Sequence, residues 1–116
     1  MQPPDDPRKA PTMTTAVTDD RERKRYVITE DGEQVGFVTY RLQAGLIDLI
    51  HTEIDPDHAG RGLAGILIHT VLDDARDRGL AVLPHCLYVA QLIGGHRDDY
   101  LDLVPEDRRR QFGLGE

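Results

Sequence analysis

Residues 51–65, HTEIDPDHAGRGLAG, carry three glycines within six positions (Gly60, Gly62 and Gly65) at the entrance of an apolar helical pattern. Glycine inside a helix costs roughly 1 kcal/mol relative to alanine. Such a run is either a plain loop or a place where something approaches the backbone. The preceding LIDLIHTEI (46–54) reads as a strand that Asp55-Pro56 ends. After the glycines, Leu63, Ile66, Leu67, Val71, Leu72 and Ala75 fall at helical i, i+3, i+4 spacing, which predicts a helix over about 61–78. Gly79 stands where a C-terminal cap belongs, with Arg76 and Arg78 suited to the negative end of the helix dipole. LAVLPHC (80–86) then reads as a short buried strand, parallel to 46–54 through a right-handed crossover.

The remaining segments fit around this unit. RYVITEDGEQVGFVTYRL contains two β-rich runs joined by Asp31-Gly32, a tight-turn signal. Gln43-Ala44-Gly45 marks a second turn, so three strands form an antiparallel meander. The fold class is therefore α/β: a mixed sheet, with the meander followed by a parallel β-α-β unit and a short second helix over about 88–95. YLDLV (100–104) is expected to be one last short strand. Residues 1–20, with four prolines and almost no large apolar side chains, are expected to be a disordered leader, Met13 being an alternative start. RERKR (21–25) is a solvated approach to the first strand, the compact domain covers 21–104, and 105–116 is expected to be a flexible tail.

Charge and cysteine content narrow the function. The formal charge is −7, from 14 basic and 21 acidic side chains. This argues against nucleic acid or anionic membrane as a partner, since both need a basic surface. Cys86 is the single cysteine, which excludes an internal disulfide and points to a reducing compartment. No apolar run approaches the ~20 residues of a membrane span. The charged, proline-rich start is unlike a secretory signal, and the expected location is cytoplasmic.

Backbone N–H groups at a helix start lack intrahelical partners, and the dipole there favours negative charge. Glycines let a phosphate approach those amides, so AGRGLA (59–64) reads as a pyrophosphate cradle. It lacks the Gly-Lys-Ser/Thr ending of a Walker loop, and it follows the third strand of a meander rather than the first strand of a dinucleotide-binding unit.

These residues resemble motif A of the GNAT-type N-acetyltransferases, Gln/Arg-x-x-Gly-x-Gly/Ala. Gly62 and Ala64 fill the last two places, Arg61 lies between the glycines, and Ala59 departs from the first place. The resemblance runs on through LIDLIHTEIDPDHAGRGLAG, ILIHTVLDDARDRGL and VLPHCLYVAQLIGGHRDDYLDLV, about residues 26–104. It is to the compact single-domain members, which read strand–His-Thr-x-Val, helix, strand–Pro-x-Cys and His-Pro-x-Tyr. It implies acetyl-CoA as co-substrate, bound by Ile54, Ala59, Gly60, Arg61, Gly62, Leu63 and Ala64, and acetyl transfer to an amine. Leu92 replaces a tyrosine, Gly94-Gly95 a basic pair and Arg97 a proline, departures that cluster around the second helix.

Transfer needs a proton acceptor for the ammonium. In an unbroken strand His51 and Glu53 share a face with Ile47 and Leu49 at its carboxyl end. His51 suits proton removal near neutral pH, and Glu53 suits it through a water. Cys86 ends the parallel strand beside the expected thioester position, as a nucleophile, a pocket wall or a small buried hydrophobe, with His51 as its expected partner. Tyr88 is either a proton donor to the leaving thiolate or core packing, while His96 and Tyr100 close the short helix. The histidines and Cys86 lack zinc spacing, so no metal is expected. The acceptor is an amine of unspecified identity (a protein lysine, an N-terminus or a small amine), and the chain is a monomer or homodimer. A CoA-binding module with little turnover is the alternative, and a small α/β unit without nucleotide function a third reading.

Overall fold

A computed structural model describes residues 14–115. The expectations for residues 1–13, including Met13 as a start, lie outside the described residues. Five strands form one sheet in sequence order: β1 (Thr15–Asp20), β2 (Arg25–Glu30), β3 (Glu33–Gln43), β4 (Leu46–Ile54) and β5 (Ala81–Pro84). The first four are antiparallel, and β5 runs parallel to β4. The β2–β3 hairpin turns on Asp31 and Gly32, both at positive φ (50° and 86°), the pairing a type I′ turn requires.

Helix α1 (Leu63–Asp77) is the crossover between β4 and β5. It buries Leu63, Leu67, Ile68, Val71, Leu72 and Ala75 against Tyr26, Ile28, Val38, Tyr40, Ile47, Leu49 and Val82. Ile66, expected in that stripe, is exposed, and Ile68 takes its place. The helix ends as expected at Gly79: its N–H donates to the Arg76 carbonyl at 3.1 Å, and the Leu80 N–H to the Ala75 carbonyl at 2.8 Å. This is a Schellman cap, made possible by φ +69 at the glycine. Helix α2 is Leu87–Gly95, and α3 is one turn, Arg97–Tyr100.

Three expectations are corrected. Residues 15–20, assigned to the leader, form edge strand β1. Little in it is apolar, and it is held by the β2 ladder, by Val17 against the core, and by Asp19, which accepts from the Tyr40 hydroxyl at 2.5 Å. Residues 100–104 are not a strand. Tyr100, Leu103 and Val104 are buried at helical spacing through α3 and a 3-10 turn, Leu101–Leu103, and Arg76 grips Asp102 with both guanidinium nitrogens (2.8 and 3.1 Å). Residues 105–115 of the expected flexible tail fold back in 3-10 turns that bury Leu114 near Gly94, with the Leu114 N–H donating to the Arg109 carbonyl at 2.8 Å.

Candidate active site

The site begins where β4 and β5 part. Their pairing runs from Leu46–Ala81 to Leu49–Pro84. The Cys86 N–H adds one bond to the Leu49 carbonyl at 2.9 Å before the chain turns into α2. Strand β4 continues alone on that side to Ile54.

A β-bulge lies at the same point. Opposite β3, Thr39 pairs with His51 but Tyr40 pairs with Leu49, so Ile50 is an extra residue. A bulge shifts the alternation by one. Ile47 and Leu49 pack toward α1, whereas His51 and Glu53 end on the opposite, solvent-facing side with Phe37, whose ring is 6.4 Å from that of His51. They therefore do not share a face with Ile47 and Leu49. Thr52 takes the inner side, its Oγ1 3.2 Å from the Cys86 Sγ. The hydrogen-bond partner of Cys86 is thus Thr52 rather than His51. His51 instead faces Glu53, Nε2 to Oε2 at 3.8 Å, with both side chains about 60% exposed (60% and 61%).

Beyond β4, Asp55 caps a 3-10 turn (Pro56–His58) by accepting from the Asp57 N–H at 3.0 Å. Gly60 and Gly62 follow at φ +81° and +76°, with nothing within 4 Å of where a Cβ would stand. Gly62 is the left-handed N-cap of α1, and the first helical bond, from the Ile66 N–H to the Gly62 carbonyl, measures 3.2 Å. The amides of Leu63, Ala64 and Gly65 therefore precede the helical ladder. Gly65 is helical, and the Tyr88 hydroxyl of α2 lies 3.6 Å from its Cβ position, an ordinary contact distance. Ile54 covers Gly36 of β3, where a Cβ would also come within 2.8 Å of the Glu53 carbonyl.

The sequence did not single out what holds this loop. Glu30, buried at the end of β2, accepts from the Arg61 guanidinium at 3.0 Å, and His58 Nε2 lies 3.9 Å from its other oxygen. One carboxylate thus meets the residue before Ala59 and the residue between the two glycines. On α1, His69 Nδ1 and the Tyr100 hydroxyl are 2.8 Å apart, with the His96 ring 5.2 Å from that of His69. Burial and the neighbouring Asp73 raise the Tyr100 hydroxyl's pKa. His69, His96, Tyr88 and Gly65 line a groove between α1 and α2. A second pair missed by sequence reading is Asp48, buried in β4, with His85. Among the described residues no cluster of three or more His, Cys, Asp or Glu is arranged to hold a metal ion, and no helix is long and apolar enough to cross a membrane.

The sheet, the bulged β4 with its diverging neighbour and the glycine-bearing helix start define an acyltransferase-type α/β fold. The family model described as GCN5-related N-acetyl-transferase matches residues 25–103. The chain belongs to that family. A curated relative, the mycothiol acetyltransferase of Nocardiopsis dassonvillei, is 38% identical over 89 residues, covering 77% of this chain and 27% of its own length. The chain thus spans about a quarter of that relative.

Proposed function

We propose that this chain is an acetyl-CoA-dependent N-acetyltransferase acting on an amine. The observation that carries this reading is the glycine-bearing start of α1, which follows directly on the strand, β4, that parts from β5. A coenzyme needs an anion site and an adjoining slot for its thioester arm. The residues fit one: a Cβ is missing where a phosphate would lie over Gly60 and Gly62. The amides of Leu63, Ala64 and Gly65 offer donors ahead of the helical ladder, at the positive end of the dipole. Ala59 precedes the glycines, Arg61 lies between them, and Ile54 borders the arm at the end of β4. When bound, acetyl-CoA supplies an acyl group activated as a thioester.

The chain's own residues do the rest. Thr52 and Cys86 line the inner side of the gap. Tyr88, over Gly65, offers a hydroxyl proton to a departing thiolate. His51 and Glu53 present an imidazole and a carboxylate on the solvent-facing side, which suits attraction of an ammonium. The name of the relative joins acetyl transfer to mycothiol, and a small-molecule acceptor is accordingly included beside protein lysines and N-termini.

The test is calorimetric titration with CoA and acetyl-CoA, followed by turnover of acetyl-CoA with a panel of amines. Binding with turnover supports the reading. Binding without turnover leaves a CoA-binding module, and absence of binding removes the nucleotide function. Intact mass after acetyl-CoA incubation separates the two roles of Cys86. A one-acetyl gain lost in Cys86→Ala marks a nucleophile, and no gain marks a pocket wall.

A further inference from the structure

We propose that His85, oriented by Asp48, takes the proton from the acceptor ammonium; this rests on the acetyl-transfer reading above. Asp48 lies between Ile47 and Leu49, whose side chains pack toward α1, so its own goes to the opposite side of the sheet, where it is buried. A carboxylate cannot stay ionised in such a place without a partner. The partner is His85, with Nδ1 2.5 Å from Asp48 Oδ1. Phe112 meets the ring edge-on, centroids 4.9 Å apart, and fixes its plane from a second direction. An ionised carboxylate only accepts, so Nδ1 carries the hydrogen and Nε2 of the neutral ring keeps a free lone pair. The side chain is still 40% exposed, so a ligand can reach the ring from solvent.

Position supports the same role. His85 immediately precedes Cys86, whose N–H makes the last bond between β5 and β4 and whose Sγ meets Thr52 in the gap. The backbone of His85 therefore stands where the strands part, and its ring lies over Asp48 on the side where His51 and Glu53 also lie. His51 has no comparable support: its carboxylate is at 3.8 Å, and both groups stand in solvent. His58 sits in the glycine loop, and His69 and His96 between α1 and α2. At His85 Nε2 the ammonium gives up one proton, leaving the amine its electron pair for attack, and the imidazolium passes that proton to bulk water. Asp48 stays ionised throughout and stabilises the imidazolium. His85 is the catalytic residue, and Asp48 a positioning residue that acts through it.

The experiment has two arms. Long-range 15N NMR of the coenzyme-free chain is expected to show neutral His85 as the Nδ1–H tautomer, and Asp48→Val to return it to the mixed tautomers of a free imidazole. In the second arm, acetyl-CoA turnover is measured with Nα-acetyl-lysine, spermidine, ethanolamine and glycylglycine. His85→Gln, which keeps a donor for Asp48 but accepts no proton, is expected to lower kcat by about 100-fold or more with unchanged CoA affinity, the usual scale of a lost general base. Added imidazole restores part of the rate in His85→Ala, and His51→Gln raises KM rather than lowering kcat. A dominant Nε2–H tautomer, or His85→Gln within threefold of wild-type kcat, overturns the proposal alone. Wild-type chain that turns over none of the four amines refutes the acetyl-transfer reading first, and this inference with it.

Discussion

Gly62→Ala separates the backbone cost of the glycine loop from its binding role. At φ +76° an alanine pays the left-handed penalty, about 1–2 kcal/mol, but its methyl meets nothing within 4 Å, so no packing strain is added. Gly45, in the β3–β4 turn, is a matched control: φ +73°, and again nothing within 4 Å. Both alanine variants should lose stability by the same 1–2 kcal/mol. At roughly 4–8 °C per kcal/mol for a domain near this size, each should lower Tm by about 4–16 °C. Only Gly62→Ala puts a methyl where a phosphate would sit, so CoA affinity should fall at least tenfold there and hold within twofold in Gly45→Ala. Circular-dichroism melts and calorimetric titration of both variants below their midpoints measure the two effects. Equal CoA affinity in the two variants would refute the cradle. Unequal Tm losses would refute the dihedral argument.

Gly36→Ala should destabilise by about 1–3 kcal/mol in urea unfolding, the usual cost of overpacking, because its Cβ would meet Ile54 and come 2.8 Å from the Glu53 carbonyl. Glu30→Gln should cost about 1–3 kcal/mol and raise the CoA dissociation constant, since Arg61 and His58 lose the charge that holds the loop; unchanged binding and stability would show that the loop holds itself. Burial, with donation to Asp19, pushes the Tyr40 hydroxyl up to about 12, and burial with Asp74 raises Tyr26 as well. Tyrosine ionises near 10 in an unfolded chain, so this stabilisation is complete below pH 10 and lost as pH rises through about 12. Urea midpoints should stay flat to pH 10 and then fall, less steeply in Tyr40→Phe.

The features legible in the sequence were those with local causes. Asp31-Gly32 announced its turn because only certain residues tolerate positive φ. Leu67, Val71 and Leu72 announced α1 by their spacing, and Gly79 its end. The bulge at Ile50 was not legible: LIDLIHTEI reads as one alternating strand, and the extra residue is visible only against Thr39 and Tyr40 across the ladder. That single shift moved His51 and Glu53 to the other side of the sheet and brought Thr52 to Cys86. β1 was missed because its polar residues are organised by partners elsewhere in the sequence, Tyr40 among them. The C-terminal residues read as a strand and a tail because their anchors, Arg76 and Arg97, contribute contacts that no short window contains. Asp48 does leave a trace in the sequence, as a lone carboxylate among buried apolar residues, and its partner His85 is the residue before Cys86.

The four-pair ladder between β4 and β5 also sets an order of assembly. Strands β2, β3 and β4 are joined by short turns and can zip together locally, whereas β5 reaches β4 only after the α1 crossover has been made. Closing that longer loop first costs chain entropy. Strand β5 and α2 therefore form the unit expected to dock last and open first. Backbone amides of Val82–Val89 should exchange with solvent through partial openings that leave Ile28, Val38 and Ile47 protected. The walls of the gap thus come from two different cooperative units, one formed early and one late, and the gap has a width that thermal motion can change without unfolding the meander.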